Sequence, residues 1–92
     1  MLFEFDKKKS AANKQKHGVD FVEAQRIWKG NYIEFAAKSD YENRFAAIGN
    51  ITGVLFTCIY TMRDDSIRLI SCRRSRKGEV ALYEQEISKA KK

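Results

Sequence analysis

Four strand-like runs crowd into the stretch between Tyr32 and Cys72: Tyr32–Ala37, Arg44–Ile48, Val54–Tyr60 and Ser66–Cys72. A polar connection at 38–43, a closing segment Gly49-Asn-Ile-Thr-Gly53 and a turn at Met62–Asp65 separate them. Such short spacings predict that consecutive runs pair antiparallel, as a meander. Val54–Tyr60 is the most β-prone of the four. Whatever else the chain does, it must cover this sheet.

The flanking segments supply the cover. Leu2-Phe-Glu-Phe5 alternates like a short strand, and Asp6 suits a helix N-cap. Lys7–Lys16 has no Gly, Pro or β-branched residue, and Gly18 fits the position just past its end. Ala11 and Ala12 are the only apolar side chains of that helix, so it must be held by its ends and by shallow packing. Asp20 and Glu23 have capping-box spacing. Phe21, Ala24 and Trp28, with Ile27 beside them, then make an apolar stripe that Gly30 ends, the expected core helix. A last helix is expected from Glu79 to Lys89, followed by a lysine-rich tail that frays. The order is β-α-α-β-β-β-β-α in one domain over residues 1–92. This is an α+β fold, an antiparallel sheet with its helices on one face and the other face left for a site.

An apolar share of 43% and an aromatic share of 12% support a globular core and exclude a disordered chain. The net charge of +6 points to a polyanionic partner, nucleic acid or an acidic protein segment. No run approaches the ~20 apolar residues of a membrane span, and the N-terminus lacks a secretory apolar segment, so a cytoplasmic location is expected. Cys58 and Cys72 sit inside apolar runs and read as buried free thiols, with room to be cross-strand neighbours but not a disulfide. With one His and no Cys-x-x-Cys, neither a metal site nor a cofactor is expected.

Charge concentrates in Arg68-Leu-Ile-Ser-Cys-Arg-Arg-Ser-Arg-Lys77, where an apolar run passes into Arg73, Arg74, Arg76 and Lys77 with no acidic residue between. A strand that hands over to a helix can converge backbone N–H groups and basic side chains on one spot, an arrangement that holds phosphate. A solvated basic turn is the plainer alternative. Lys7, Lys8, Lys9, Lys14 and Lys16 make a second basic surface, open to RNA or to the acidic face of a partner.

Four groups of residues carry a family resemblance. Phe3-Glu-Phe-Asp6, Asn13 and Lys16-His-Gly-Val19 lead into Phe21-x-x-Ala24. Arg44-Phe-x-x-Ile-Gly49 follows, then Tyr60-Thr-x-Arg63 with Ile67-Arg68. Ile70-Ser-x-Arg-Arg74 and Glu79-x-x-Leu-Tyr-Glu84 complete the set. In order and spacing the chain resembles the BrnT family of bacterial toxins, with Phe5 where Trp is usual and Cys72 where a small Ala is usual. The resemblance implies a RelE-like fold and RNA cleavage that inhibits translation. It also implies neutralisation by a BrnA-like antitoxin with a DNA-binding module, and repression of the shared operon by the complex at operator DNA.

Metal-free RNA cleavage uses the neighbouring 2′-OH as nucleophile and leaves a 2′,3′-cyclic phosphate. The protein must take the 2′-OH proton, stabilise charge on the phosphoryl oxygens and protonate the 5′-oxygen. Arg73 and Arg74 suit the second task through their planar forks, but they have opposite parity if the strand continues through them. Both reach one site only if the chain turns there. Arg68 and Arg44 either project into the site or sit on its rim. His17 is matched to proton transfer near neutral pH, or else caps its helix. Glu79 is either a base or the partner that orients Arg73. Tyr83 is a candidate to position phosphate or stack a base, whereas Tyr60 reads as core. Two other readings remain: a non-catalytic basic nucleic-acid-binding module or co-repressor subunit, and an inactive relic kept for partner binding.

Overall fold

A computed structural model describes residues 1–40 and 43–90. The middle of the polar connection and the end of the lysine-rich tail lie outside the described residues. The elements are β1 (Leu2–Glu4), α1 (Lys7–His17), a 3-10 helix (Glu23–Lys29), β2 (Tyr32–Ala37), β3 (Arg44–Ile51), β4 (Val54–Arg63), β5 (Ser66–Arg74) and α2 (Lys77–Ala90).

β2 to β5 form the expected antiparallel meander, closed by two-residue turns at Thr52-Gly53 and Asp64-Asp65. Thr52, Gly53 and Asp64 have positive φ (48°, 91° and 54°), the handedness that tight hairpins demand. The sheet as a whole is mixed, not antiparallel. Its order is β1-β5-β4-β3-β2, and β1 runs parallel to β5 with Phe3 opposite Ile67. A two-residue turn cannot join parallel neighbours, and here the whole meander separates them.

Strand parity divides the sheet into two faces. Phe45, Ala47 and Ile51 of β3, Phe56, Cys58 and Tyr60 of β4, and Ile67, Leu69 and Cys72 of β5 meet Val19, Phe21, Ala24 and Ile27 in the core. Leu69 and Cys72 are three apart yet share this face. A bulge makes that possible: Tyr60 pairs with Leu69 while its neighbour Ile59 pairs with Ser71, so Ile70 is the extra residue. Cys58 and Cys72 are free, buried and directly paired. Their mutual hydrogen bond and then burial push the Cys58 thiol well up, as befits an inert core thiol.

The expected core helix is a 3-10 helix. Its capping box is present, with Asp20 Oδ1 accepting from the Glu23 N–H at 2.7 Å and Glu23 Oε1 from the Asp20 N–H at 3.0 Å. Phe21, Ala24 and Ile27 are buried at intervals of three, the period that eclipses side chains at three residues per turn. Gly49 does not close β3; it lies inside it, beneath this helix. A Cβ there would stand 2.8 Å from Ile27 Cγ2, so only glycine lets the helix lie this close.

Polar α1 is held from within as well as by its ends. Asp6 caps it, accepting from the Lys8 and Lys9 N–H groups at 2.8 and 3.1 Å, and Gly18 closes it with φ 86°. Ser10 accepts from the Phe21 N–H at 2.9 Å. The Asn13 amide donates to Val19 O at 2.7 Å and to Cys72 O at 2.8 Å, and accepts from the Cys72 N–H at 3.1 Å. β1 covers the outer edge of β5 only as far as Arg68. Beyond it, Asn13 satisfies one residue of that edge as a strand would.

The helices lie on both faces, against the expectation of one. After Arg74 the chain turns at Ser75, whose N–H donates to Leu55 O at 3.0 Å and whose hydroxyl meets Thr57 Oγ1 at 2.9 Å. This turn carries α2 onto the Thr57 side of the sheet, away from α1. There α2 packs over β2 and β3. The other face is therefore open only over β4 and β5.

Candidate active site

The junction of β5 and α2 is built around one carboxylate. Glu79, in the first turn of α2, takes both prongs of Arg73: Nη1 donates to Oε1 at 2.7 Å and Nη2 to Oε2 at 2.9 Å. Oε1 also accepts from the Arg76 N–H at 2.8 Å, as a helix-capping glutamate does, and from Thr57 Oγ1 at 3.1 Å. Arg73 foremost, then Arg76 and Thr57, outweigh burial and hold the Glu79 carboxyl at about 2. It is ionised at any physiological pH and is too weak a base to take a proton from a hydroxyl. The same pairing raises Arg73, which stays charged.

Arg73 and Arg74 are not brought together. β5 continues to Arg74, with Thr57 opposite Arg73 and Phe56 opposite Arg74, so the two side chains leave opposite faces. Arg73 is on the open face, half-buried. Arg74 is exposed on the α1 side and makes no ion pair among the described residues.

The open face carries three more of the expected residues. Thr61 pairs with Arg68, and continuing the β3–β4 register places Arg44 on its other side, so Arg44, Thr61 and Arg68 form one cross-strand row. Thr61 Oγ1 donates to Asn43 O at 2.6 Å. The row of Thr57 and Arg73 runs parallel to it, about 13 Å away along β4. Ser71 lies between the rows. Arg68 and Arg63 share Glu4 Oε1, at 3.6 and 3.5 Å. Tyr83 lies one turn beyond Glu79 on α2, and its hydroxyl donates to Asn31 O at 3.2 Å.

His17 is on the other side. α1 runs along β5 from Asp6, which feels the charge of Arg68, to Asn13 at Cys72. His17 ends the same helix, one turn, about 6 Å, beyond Asn13. The expected residues thus fall on two sides of the sheet. Arg44, Arg68, Arg73, Glu79 and Tyr83 are on the α2 side; His17 and Arg74 are on the α1 side.

Sequence reasoning passed over Thr57 and Ser75, which complete the carboxylate's surroundings. The available signal was a hydroxyl at Thr57, opposite in parity to Cys58 in the otherwise apolar run Val54–Tyr60. Tyr60 is core as expected, stacked on Phe45 with ring centroids 5.6 Å apart and edge-on to Trp28. Its hydroxyl donates to Glu34.

No curated protein matches the chain. A family model does, over residues 5–79, a span that takes in the Arg73–Glu79 pair, Arg74 and His17. The chain belongs to the BrnT family, the ribonuclease toxins of type II toxin–antitoxin systems.

Proposed function

We propose that this chain is a metal-independent endoribonuclease that cuts RNA and inhibits translation. A BrnA-like antitoxin neutralises it and represses the shared operon with it at operator DNA. The 2′-oxygen attacks the adjacent phosphorus, the bond to the 5′-oxygen breaks, and a 2′,3′-cyclic phosphate is left. The observation that carries this reading is the end of β5, where two arginines flank the strand and one is clamped in place by Glu79.

Arg74, with no carboxylate on it among the described residues, grips the non-bridging oxygens as charge develops there. His17 exchanges the protons. Arg73 keeps N–H groups beyond the two given to Glu79, and these reach the RNA from the open face. Glu79 orients Arg73 rather than acting as base. Arg68 and Arg44 hold flanking phosphates, and Tyr83 stacks a base.

The closed Arg73–Glu79 fork also favours a second reading, a non-catalytic nucleic-acid-binding module or co-repressor subunit, because a neutralised arginine adds little in a transition state. Single-turnover cleavage beside equilibrium RNA binding separates the two. Arg74→Ala is expected to cost about 10²–10³-fold in cleavage and far less in affinity, since ground-state phosphate contacts are shared among many lysines. Arg74→Lys keeps the charge, loses the fork and recovers only part of the rate. Equal losses in binding and cleavage would leave Arg74 merely holding RNA. Absence of cyclic-phosphate ends from the wild type would refute the endoribonuclease. In cells, the chain alone should arrest growth and the neighbouring reading frame should relieve it.

A further inference from the structure

β2 is the outermost strand on its side of the sheet, and among the described residues no strand pairs with its outer edge. Which of its backbone groups face outward follows from Cys72. That residue gives its N–H and C=O to Asn13, away from β4. Antiparallel ladders alternate, so Cys58 turns its own groups toward Ala47, and Ala47 turns its groups away from Glu34. The N–H and C=O of Tyr32, Glu34 and Ala36 therefore point out from the sheet, a template for one more strand.

A hollow lies on each side of this edge. On the 3-10 helix side, Ala36, Phe45, Tyr60 and Met62 line about 390 Å³ beside Glu34. On the α2 side, Ile33, Phe35, Leu82 and Glu86 line about 380 Å³, again beside Glu34. Met62 and Leu82 are large apolar residues left 49% and 36% exposed, and each lies in one of the hollows. An added strand sends alternate side chains to opposite faces, so it would fill both hollows at once.

The charge at this edge selects the occupant. In a chain of net charge +6, these hollows carry carboxylates, Glu34 and Glu86. Among the described residues Glu86 has one ion pair, an exposed contact with Lys89 at 3.4 Å, which competes weakly. RNA phosphate is repelled here. A second copy of this chain, paired β2 to β2 about its centre, would set Glu34 against Glu34, and like charges directly opposite oppose pairing.

We propose that the free edge of β2 takes up an extended segment of the antitoxin as a sixth strand, with apolar side chains entering the two hollows and Lys or Arg meeting Glu34 and Glu86. This rests on the toxin–antitoxin reading above. It makes the antitoxin charge-segregated: the lysines of α1 call for acidic residues, and this edge calls for basic ones.

Amide hydrogen exchange on the full chain, free and bound to the antitoxin encoded beside it, tests the edge. Ile33, Phe35 and Ala37 should be protected in both states; Tyr32, Glu34 and Ala36 should gain protection of tenfold or more only in the complex. Ala36→Pro removes an outward N–H without touching the β3 ladder, a position where edge proline is tolerated. It should keep the melt and RNA cleavage of the free chain while weakening the antitoxin at least tenfold. Glu86→Lys should weaken it several-fold, and Glu86→Gln less.

A stable complex in which Tyr32, Glu34 and Ala36 stay unprotected overturns the edge proposal and leaves the toxin reading intact. Protection that appears in the free chain as its concentration rises, or on adding RNA, assigns the edge to another occupant and overturns it equally. Failure to form any complex overturns it too, and growth arrest by the chain alone then decides the toxin reading separately.

Discussion

Replacing Glu79 by Gln isolates the charge that fixes the β5–α2 junction. The carboxyl sits at about 2 in the folded chain against an ordinary 4.5, Arg73 being the main cause. That difference sets a ceiling of about 3 kcal/mol on its stabilisation at neutral pH. Arg73 and Glu79 keep 23% and 20% of their side-chain surface in solvent, and screening there reduces the expectation to about 1–2 kcal/mol. For a domain of this size that is a fall in Tm of roughly 5–15 °C for Glu79→Gln at pH 7. The sign with pH follows from the direction of the shift. A depressed carboxyl stabilises fully above its unfolded value of 4.5 and loses that contribution as pH falls towards about 2. Thermal or urea melts of wild type and variant between pH 7 and pH 2.5 should therefore run a fixed distance apart down to about pH 5 and then converge. A gap that stays constant to the lowest pH would show that shape, not charge, holds the junction, and would refute the argument for a clamped Arg73.

Other expectations follow from the packing. Asn13→Ala strands the Cys72 N–H and two carbonyls at a buried edge, and should cost about 2–4 kcal/mol in urea melts; a loss under 1 kcal/mol would mean water replaces the amide. Gly49→Ala should cost about 1–3 kcal/mol through the contact with Ile27 Cγ2, and should cost less in an Ile27→Ala background, which lacks that methyl, in a double-mutant cycle. Additive effects would place the strain elsewhere. Association with the antitoxin should slow as salt rises from about 50 to 300 mM in stopped flow; a salt-independent on-rate would remove the lysine surface from the encounter.

The meander was legible because hydrophobic runs and short connections leave few alternatives. Asp6, Gly18 and the Asp20–Glu23 box were legible because each satisfies specific backbone groups locally. What escaped depends on contacts between distant residues. The parallel seat of β1 sets Phe3 opposite Ile67, and the close approach of the 3-10 helix needs the missing side chain of Gly49. The side taken by α2 is decided by Ser75 meeting Thr57. At the candidate site, the opposite parity of Arg73 and Arg74 could be foreseen, but which one faces α1 could not. The bulge at Ile70 reverses the alternation between Leu69 and Cys72 and leaves no mark in composition.

The Asn13–Cys72 link also bears on the order in which the chain assembles. β2 to β5 join through hairpins between sequence neighbours, whereas Asn13 reaches Cys72 across 59 residues, and β1 aligns Leu2 with Ser66. Closing such long loops is entropically slow, so the hairpins should zip first and the N-terminal strand and α1 dock late onto a ready-made edge. The reverse step is correspondingly easy. α1 has almost no apolar face to retain it, and its departure would bare Cys72 and part of the core while the meander stayed paired. During synthesis the segment that emerges first must then wait for the last strand, and the half-finished chain carries an unsealed sheet edge in the meantime.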